Sequence, residues 1–281
     1  MPQVTIPVLA QKRVSGEPIV MVTAYDFPGA RAAERAGVDM VLVGDSAAQV
    51  VLGYGSTVPV SLDEMLVLAR AVRRGTETAF LVCDVPFGST EASDAQAIET
   101  AVRFVKEAGA DAVKLEGGSA PRLSRIRAIV DAGIPVVAHL GLTPQTAVAL
   151  GGLRAQGRTG ATAARLVREA RGVEQAGAFC VVVEAVPAEI TALLRRELSI
   201  PIIGIGAGDA DGQVLVAHDL LGITEGRTAK FVKRYAGIGD DTVAALAAYA
   251  AEVRSGAFPG PEHRYAATDD ALAAARAGLE S

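Results

Sequence analysis

The feature that most limits what this chain can fold into is a recurring phrase: a helix tail closing on Ala-Gly, a short apolar run, then a polar residue. Its fullest copy is Glu107-Ala-Gly-Ala-Asp-Ala-Val-Lys-Leu-Glu-Gly-Gly118. The phrase returns as Ala36-Gly-Val-Asp-Met-Val-Leu-Val-Gly-Asp45, as Ala132-Gly-Ile-Pro-Val-Val-Ala-His139, and as Ala176-Gly-Ala-Phe-Cys-Val-Val-Val-Glu184. Glycine just past a helix supplies the left-handed conformation that satisfies the last carbonyls. Apolar, β-branched runs without alternation are what parallel strands covered on both faces require. Repeats at such a spacing also occur in solenoids. Here a length of 281 residues and the strand-then-helix order predict an α/β chain forming one (β/α)8 barrel domain over residues 1–281. Catalytic groups in such barrels sit at the C-terminal ends of strands. Asp45, Asp84, Lys114, Glu116, His139 and Glu184 are therefore expected to meet on one rim.

Composition matters for the core and for the partners. Half the residues are hydrophobic, yet aromatics are 4% and tryptophan is absent. The core must then be Val, Leu, Ile and Ala, as in barrels filled by branched aliphatics. Net charge is −5, with Lys and Arg spread along the helices, so no basic footprint for nucleic acid is present. Residues 1–13 lack the apolar core of a signal peptide, and no apolar run reaches membrane-spanning length. A cytoplasmic protein with no membrane partner is expected. Cys83 and Cys180 each lie inside an apolar run, where reduced, buried thiols are expected over a disulfide.

Along the chain, residues 1–18 read as a lead-in, helical near 8–14. Strands are expected at 19–25, 40–43, 79–83, 112–115, 135–138, 179–183 and 201–205. Helices are expected at 27–36 with Asp26 as N-cap, from Ser61, at 94–108, 161–175 and 188–198, and at 240–254 as a closing helix. Ser61-Leu-Asp-Glu64 is a capping-box sequence, and Met65, Leu68, Ala69 and Val72 follow at helical spacing. The segments 47–60 and 139–160 read as long connections of the kind that carry function in barrels. The eighth unit has the least pattern and is placed between 214 and 223. The Ala-rich tail from 266 is helical or frayed.

The chemistry follows from residue type. Two close carboxylates, Asp45 and Asp84, bind a divalent cation in preference to tolerating mutual repulsion, and oxygen ligands suit Mg²⁺. The alternative is that they cap the following helices. Glu116 is a third candidate ligand, directly or through water. Lys114 lies two residues earlier on the same strand and so faces the same side. It could grip a substrate carboxylate, pair with an acid, or both. Glu184 ends an apolar run, where desolvation raises a carboxyl toward the range of a general base; pairing with an arginine is the structural alternative. His139 admits a structural and a catalytic role and is counted among the candidate substrate-binding residues, whereas His218 and His263 have no comparable setting. Gly204-Ile-Gly-Ala-Gly208 could cradle a phosphate or mark close backbone packing.

These residues bring a family into view. The chain resembles ketopantoate hydroxymethyltransferases of the phosphoenolpyruvate mutase/isocitrate lyase superfamily, over about residues 5–265. The resemblance rests on Thr23-Ala-Tyr-Asp26, Val43-Gly-Asp-Ser46, Asp84-Val-Pro-Phe87, Val113-Lys-Leu-Glu-Gly-Gly118 and His139-Leu-Gly-Leu-Thr-Pro-Gln145. Gln156-Gly-Arg158, Val183-Glu-Ala-Val-Pro187, Ile203-Gly-Ile-Gly-Ala-Gly208, Asp211-Gly-Gln213 and Lys230-Phe-Val-Lys-Arg-Tyr235 extend it. It implies Mg²⁺ held by Asp45, Asp84 and Glu116, a keto acid contacted by Asp45, Ser46, Asp84 and Lys114, and Glu184 as proton acceptor. The implied reaction moves a hydroxymethyl group from 5,10-methylenetetrahydrofolate to 3-methyl-2-oxobutanoate, on the way to pantothenate, in a homo-oligomer that is commonly a decamer. Two departures stand out: Gly53-Tyr-Gly-Ser-Thr57 has glycine where the family usually has aspartate, and Thr159-Gly160 replaces Gly-Asp. They leave open a paralogue, or a superfamily lyase or mutase acting on a related 2-oxo acid.

Overall fold

In the computed structural model, which describes residues 2–226 and 228–279, all four Ala-Gly phrases end a helix as expected. Gly37, Gly109, Gly133 and Gly177 have φ of 73°, 66°, 88° and 99°. Each turn hands the chain to a strand. The strands are β1 (Ile19–Thr23), β2 (Met40–Val43), β3 (Phe80–Asp84), β4 (Ala112–Glu116), β5 (Val136–Gly141), β6 (Cys180–Glu184), β7 (Ile202–Ile205) and β8 (Gly212–Leu215). They pair in parallel in chain order, and β8 closes on β1. This is the (β/α)8 barrel that the repeat predicts.

The helices are α1 (Ile6–Ser15), α2 (Phe27–Ala36), α3 (Ala47–Val50), α4 (Leu62–Gly75), α5 (Asp94–Ala108) and α6 (Ala120–Asp131). They continue with α7 (Gly160–Gln175), α8 (Ala188–Glu197), α9 (Ala217–Leu220), α10 (Ile238–Ser255) and α11 (Asp269–Leu279). Asp26 caps α2 by accepting from Gly29 N at 2.7 Å, and Ser61 with Glu64 forms the expected capping box on α4. Burial on both faces of the strands explains their apolar runs. Val41, Leu81, Val113, Val136 and Val181 face outward against the helices. Met40, Val82, Ala112, Val137 and Val182 fill the barrel.

Because side chains alternate along a strand, the inward columns can be followed upward two residues at a time. Val82 leads to Asp84, Ala112 to Lys114 and Glu116, Val137 to His139, and Val182 to Glu184. The interior therefore changes from aliphatic to charged at one end. The other end is closed by α1, whose Leu9 packs among the interior residues. Lys12, in α1, pairs with Asp39 at 2.8 Å.

The eighth unit departs from expectation. β8 begins at Gly212, two residues before the expected start, and the segment from Ala217 is helical. Its pattern is faint because its outer face is not covered by the described residues: Gln213 is exposed, and Val20 on the neighbouring β1 is 50% exposed. The long helix that follows β8 and α9, α10, has no buried residue. The tail from 266 contains a helix, α11, also without buried residues. The connection expected at 47–60 opens with the short α3. Cys83 and Cys180 are free and buried, the former facing the helices and the latter the barrel interior. No described helix is long and apolar enough to cross a membrane.

Candidate active site

The charged end of the barrel opens into a cavity of about 730 Å³ lined by Asp45, Ser46, Asp84, Lys114, Glu116, His139 and Glu184. Every residue singled out at the strand ends is therefore brought to one place. Asp84, Lys114, Glu116 and His139 are buried, at 3–6% exposure, and burial makes each charge dependent on its neighbours. Asp84 Oδ1 pairs with Lys114 Nζ at 2.7 Å, and Asp84 Oδ2 accepts from Asp45 N at 3.0 Å. Neither the Asp45 nor the Asp84 side chain caps a helix, so the alternative reading of these acids falls away.

The cluster is a chain of contacts around the rim. Lys114 Nζ lies 3.2 Å from His139 Nδ1. His139 Nδ1 is also 3.4 Å from Glu116 Oε1, and its Nε2 is 3.2 Å from Glu184 Oε2. Glu184 is thus paired with a histidine, not with an arginine. Burial, then the charges of Asp84 and Glu116, raise the Asp45 carboxyl well above its ordinary range. Glu116 is lowered: burial opposes this, but His139, Lys114 and the Gln145 amide outweigh it. Burial and Lys114 work against a proton on His139, yet Glu116 and Glu184 raise it to about 9. Lys114 is held above its usual value by Asp84, Glu116 and Asp45 against the cost of burial.

The three acids do not close on a single point. Among the described residues, no group of three or more His, Cys, Asp or Glu side chains could hold a metal ion unaided. The donor set still fits an oxygen-seeking cation that keeps part of its water shell and accepts substrate oxygens, which is the habit of Mg²⁺. It does not suit a soft metal, since Cys180 lies lower in the barrel interior and Cys83 outside it.

Several residues in or against the cavity have contacts there that a single sequence does not signal. Tyr25, buried at the end of β1, shares a hydrogen bond with Ser46 Oγ at 2.8 Å and so fixes that hydroxyl. Gln145 reaches Asp45. His218, to which the sequence offers no setting, lines the cavity and tilts against the Tyr25 ring at 5.3 Å. Thr57 Oγ1, His218 Nδ1 and Thr224 Oγ1 are buried, lack a hydrogen-bond partner among the described residues, and all belong to cavity-lining side chains. Ala185, directly after Glu184, has φ of 50°, a conformation that costs a non-glycine residue about 1–2 kcal/mol. Backbone bonds to Ile205 O and from Gln156 N hold it there.

The glycine-rich turn after β7 packs closely and does not open as a cradle. A Cβ on Gly206 would lie 2.4 Å from Phe231 Cδ1, and one on Gly208 2.4 Å from Ala188 Cβ. His263 lies in the exposed C-terminal segment, away from the cavity. Of the two departures, Gly55 is exposed with open space around it, and Thr159 caps α7 by accepting from Thr162 N. Neither position lines the cavity.

Comparison with known proteins points the same way. The family model described as ketopantoate hydroxymethyltransferase matches residues 3–261. The chain is 53% identical over 264 residues to the 3-methyl-2-oxobutanoate hydroxymethyltransferase of Moorella thermoacetica, covering 94% of this chain and 98% of that one. It is 52% identical to the mitochondrial 3-methyl-2-oxobutanoate hydroxymethyltransferase 1 of Arabidopsis thaliana, covering 93% of this chain and 77% of the relative. Among solved structures, 2,3-dimethylmalate lyase, a PEP mutase/isocitrate lyase superfamily member, aligns with a TM-score of 0.60 at 17% identity, covering 92% of each chain. Phosphonopyruvate hydrolase in complex with oxalate and Mg²⁺ aligns at 0.59 and 16%, again over 92% of each. At those identities the likeness is one of fold.

Proposed function

Because the chain belongs to the ketopantoate hydroxymethyltransferase family, we propose that it transfers a hydroxymethyl group from 5,10-methylenetetrahydrofolate to 3-methyl-2-oxobutanoate, giving 2-dehydropantoate for pantothenate synthesis. The observation that carries this reading is the placement of Glu184. Its carboxylate lines the same cavity as Asp45, Asp84 and Lys114, and lies 3.2 Å from His139 Nε2. A C–H next to a ketone is too weak an acid for a carboxylate alone. Asp45, Asp84 and Glu116 would hold Mg²⁺, which supplies Lewis-acid stabilisation of negative charge on the keto oxygen, worth several kcal/mol.

The chain's own residues then do the following. Lys114 and the Ser46 hydroxyl, the latter oriented by Tyr25, bind and orient the 2-oxo acid. Glu184 accepts the C3 proton; the C–H bond breaks and its electron pair moves toward the keto oxygen. His139, carrying a proton at neutral pH, lies 3.2 Å from the Glu184 carboxylate and orients it for that step. The nucleophilic C3 then bonds to the one-carbon unit of the folate; both C–N bonds to that carbon break, the two nitrogens take up protons, and a water supplies the hydroxyl oxygen as tetrahydrofolate leaves. A five-carbon keto acid leaves much of the 730 Å³ cavity free. The unpartnered Thr57, His218 and Thr224 atoms supply polar contacts for the second, larger substrate there.

The test is deuterium exchange at C3 of 3-methyl-2-oxobutanoate in D₂O with Mg²⁺ and no folate. The wild-type protein is expected to exchange the proton, and Glu184→Gln to lose at least about 100-fold in rate. Exchange that survives the substitution would give the proton to another group and favour a lyase or mutase using the same cavity.

Two further readings accompany this one. The buried free thiols suit a reducing compartment, and we place the chain in the cytoplasm. A homo-oligomer, commonly a decamer in the family, is supported by the apolar side chains that α10 leaves exposed.

A further inference from the structure

Gln145 has no place in the chemistry above, yet it is buried at the centre of the acidic cluster. It arrives on the connection after β5, in a single 3-10 turn over Pro144–Thr146. Pro144 opens that turn, and the hydroxyls of Thr143 and Thr146, 2.6 Å apart, clamp it. From this position one residue makes three donations. Its backbone N–H donates to Glu116 Oε2 at 3.0 Å. Its side-chain Nε2 donates to Asp45 Oδ2 at 2.8 Å and to the Val85 carbonyl at 2.9 Å. The orientation of the amide is decided by chemistry: a carbonyl can only accept, so Nε2, with its two hydrogens, must face it. Both hydrogens are then used.

The consequence concerns which carboxylate oxygens Gln145 occupies. A buried Asp on a loop has two rotatable bonds and no reason to choose one orientation. By claiming Asp45 Oδ2 and Glu116 Oε2, Gln145 leaves Oδ1 of the first and Oε1 of the second as the oxygens it does not engage. The bond to Val85 O ties this arrangement to the residue after Asp84, so the side-chain amide refers the ends of β2 and β3, and the main-chain N–H the end of β4, to one residue. Orienting partners of this kind set metal affinity in other oxygen and nitrogen sites.

From this geometry we propose that Gln145 is a positioning residue: it presets the Asp45 and Glu116 carboxylates for a divalent cation, and so governs how tightly the protein binds it. The inference rests on the reading of these acids as the cation site. It gives Gln145 no contact with substrate and no part in moving the proton.

The experiment is calorimetric titration of Mg²⁺, and of Mn²⁺ as a second probe, into the purified full-length protein without substrate. Gln145→Met keeps length and apolar packing but removes both side-chain donors. It is expected to weaken cation binding by roughly 10–100-fold. Gln145→Asn keeps the amide but loses the reach to span Asp45 and Val85, and is expected to shift in the same direction. In turnover assays the deficit of either variant should shrink as the cation is raised, moving the cation's half-saturation more than the limiting rate. Equal affinity in wild type and both variants, with unchanged circular dichroism, overturns the proposal and leaves Gln145 as loop packing. Failure of the wild-type protein to bind either cation overturns the metal reading itself, and this proposal with it. A variant that misfolds while the other binds normally also overturns it, since the folded variant lacks the proposed bridge.

Discussion

His139 carries the most consequential contacts of any single residue. Its two ring nitrogens face Glu116 and Glu184, and Lys114 lies beside it. The acids raise its proton affinity to about 9, from an ordinary value of 6.5. A raised folded-state value means that the proton stabilises the fold. That contribution is complete below about pH 6.5 and is lost as pH rises through about 9. In the protein kept free of divalent ions, the melting temperature should therefore fall between those values, by an amount worth on the order of 1–3 kcal/mol. His139→Gln should flatten that part of the curve. Parallel pH curves for wild type and variant would remove His139 as the titrating group. The residue types at the strand ends were legible without coordinates, because each breaks an apolar run. Gln145, Tyr25, Thr57 and His218 were not, since their proximity depends on how loops and strand ends cross the rim.

At the scale of elements, the turn that leaves β5 positions two of the groups that matter. Gly141 has φ of 95°, and a Cβ there would lie 2.3 Å from the Glu184 carbonyl oxygen. The same crossing is pinned by Leu142 N donating to that oxygen at 2.9 Å. β5 therefore passes against β6 at the residue that carries the base, and then delivers Gln145 to the acids. Gly141→Ala imposes both a left-handed backbone on alanine and a main-chain collision. It should lower unfolding free energy by at least about 1–3 kcal/mol in urea titrations. Exchange at C3 should fall as well, because Glu184 and the Gln145 turn must shift together. A stable variant with normal exchange would show that the crossing has slack. Most helices and strands with strong period were readable from sequence to within a residue or two, but β5 runs to Gly141, three residues past its expected end, and α6 was given no range. β8 was misplaced because Gly212, a buried glycine, and Gln213, exposed on the outside, carry no apolar period.

For the whole molecule, the unmatched pieces are the bare outer face around β8 and β1 and the homeless helix that follows. Val243, Leu246, Tyr249 and Val253 are 46–64% exposed and recur at helical spacing along α10. An apolar stripe of this kind is buried in a stable protein, and a second copy of the chain offers the same uncovered barrel face. Light scattering coupled to size-exclusion chromatography is expected to give a mass of several chains. Leu246→Glu should reduce it, because a charge in an apolar helix seam is poorly compensated. A wild-type monomer, or an unchanged mass for the variant, would count against assembly through α10.

What the amino-acid sequence determined by itself was everything governed by short-range patterns. Glycine stops, unbroken apolar strands and their charged last residues specify a parallel barrel and the chemistry at its rim, because strand alternation converts spacing into direction. Tertiary structure alone decided the pairings that join distant segments: Gln145 to Asp45, Tyr25 to Ser46, His139 between Glu116 and Glu184. Those contacts depend on barrel register and on the path of two long connections, where one residue of offset turns a side chain away. No local pattern encodes that offset.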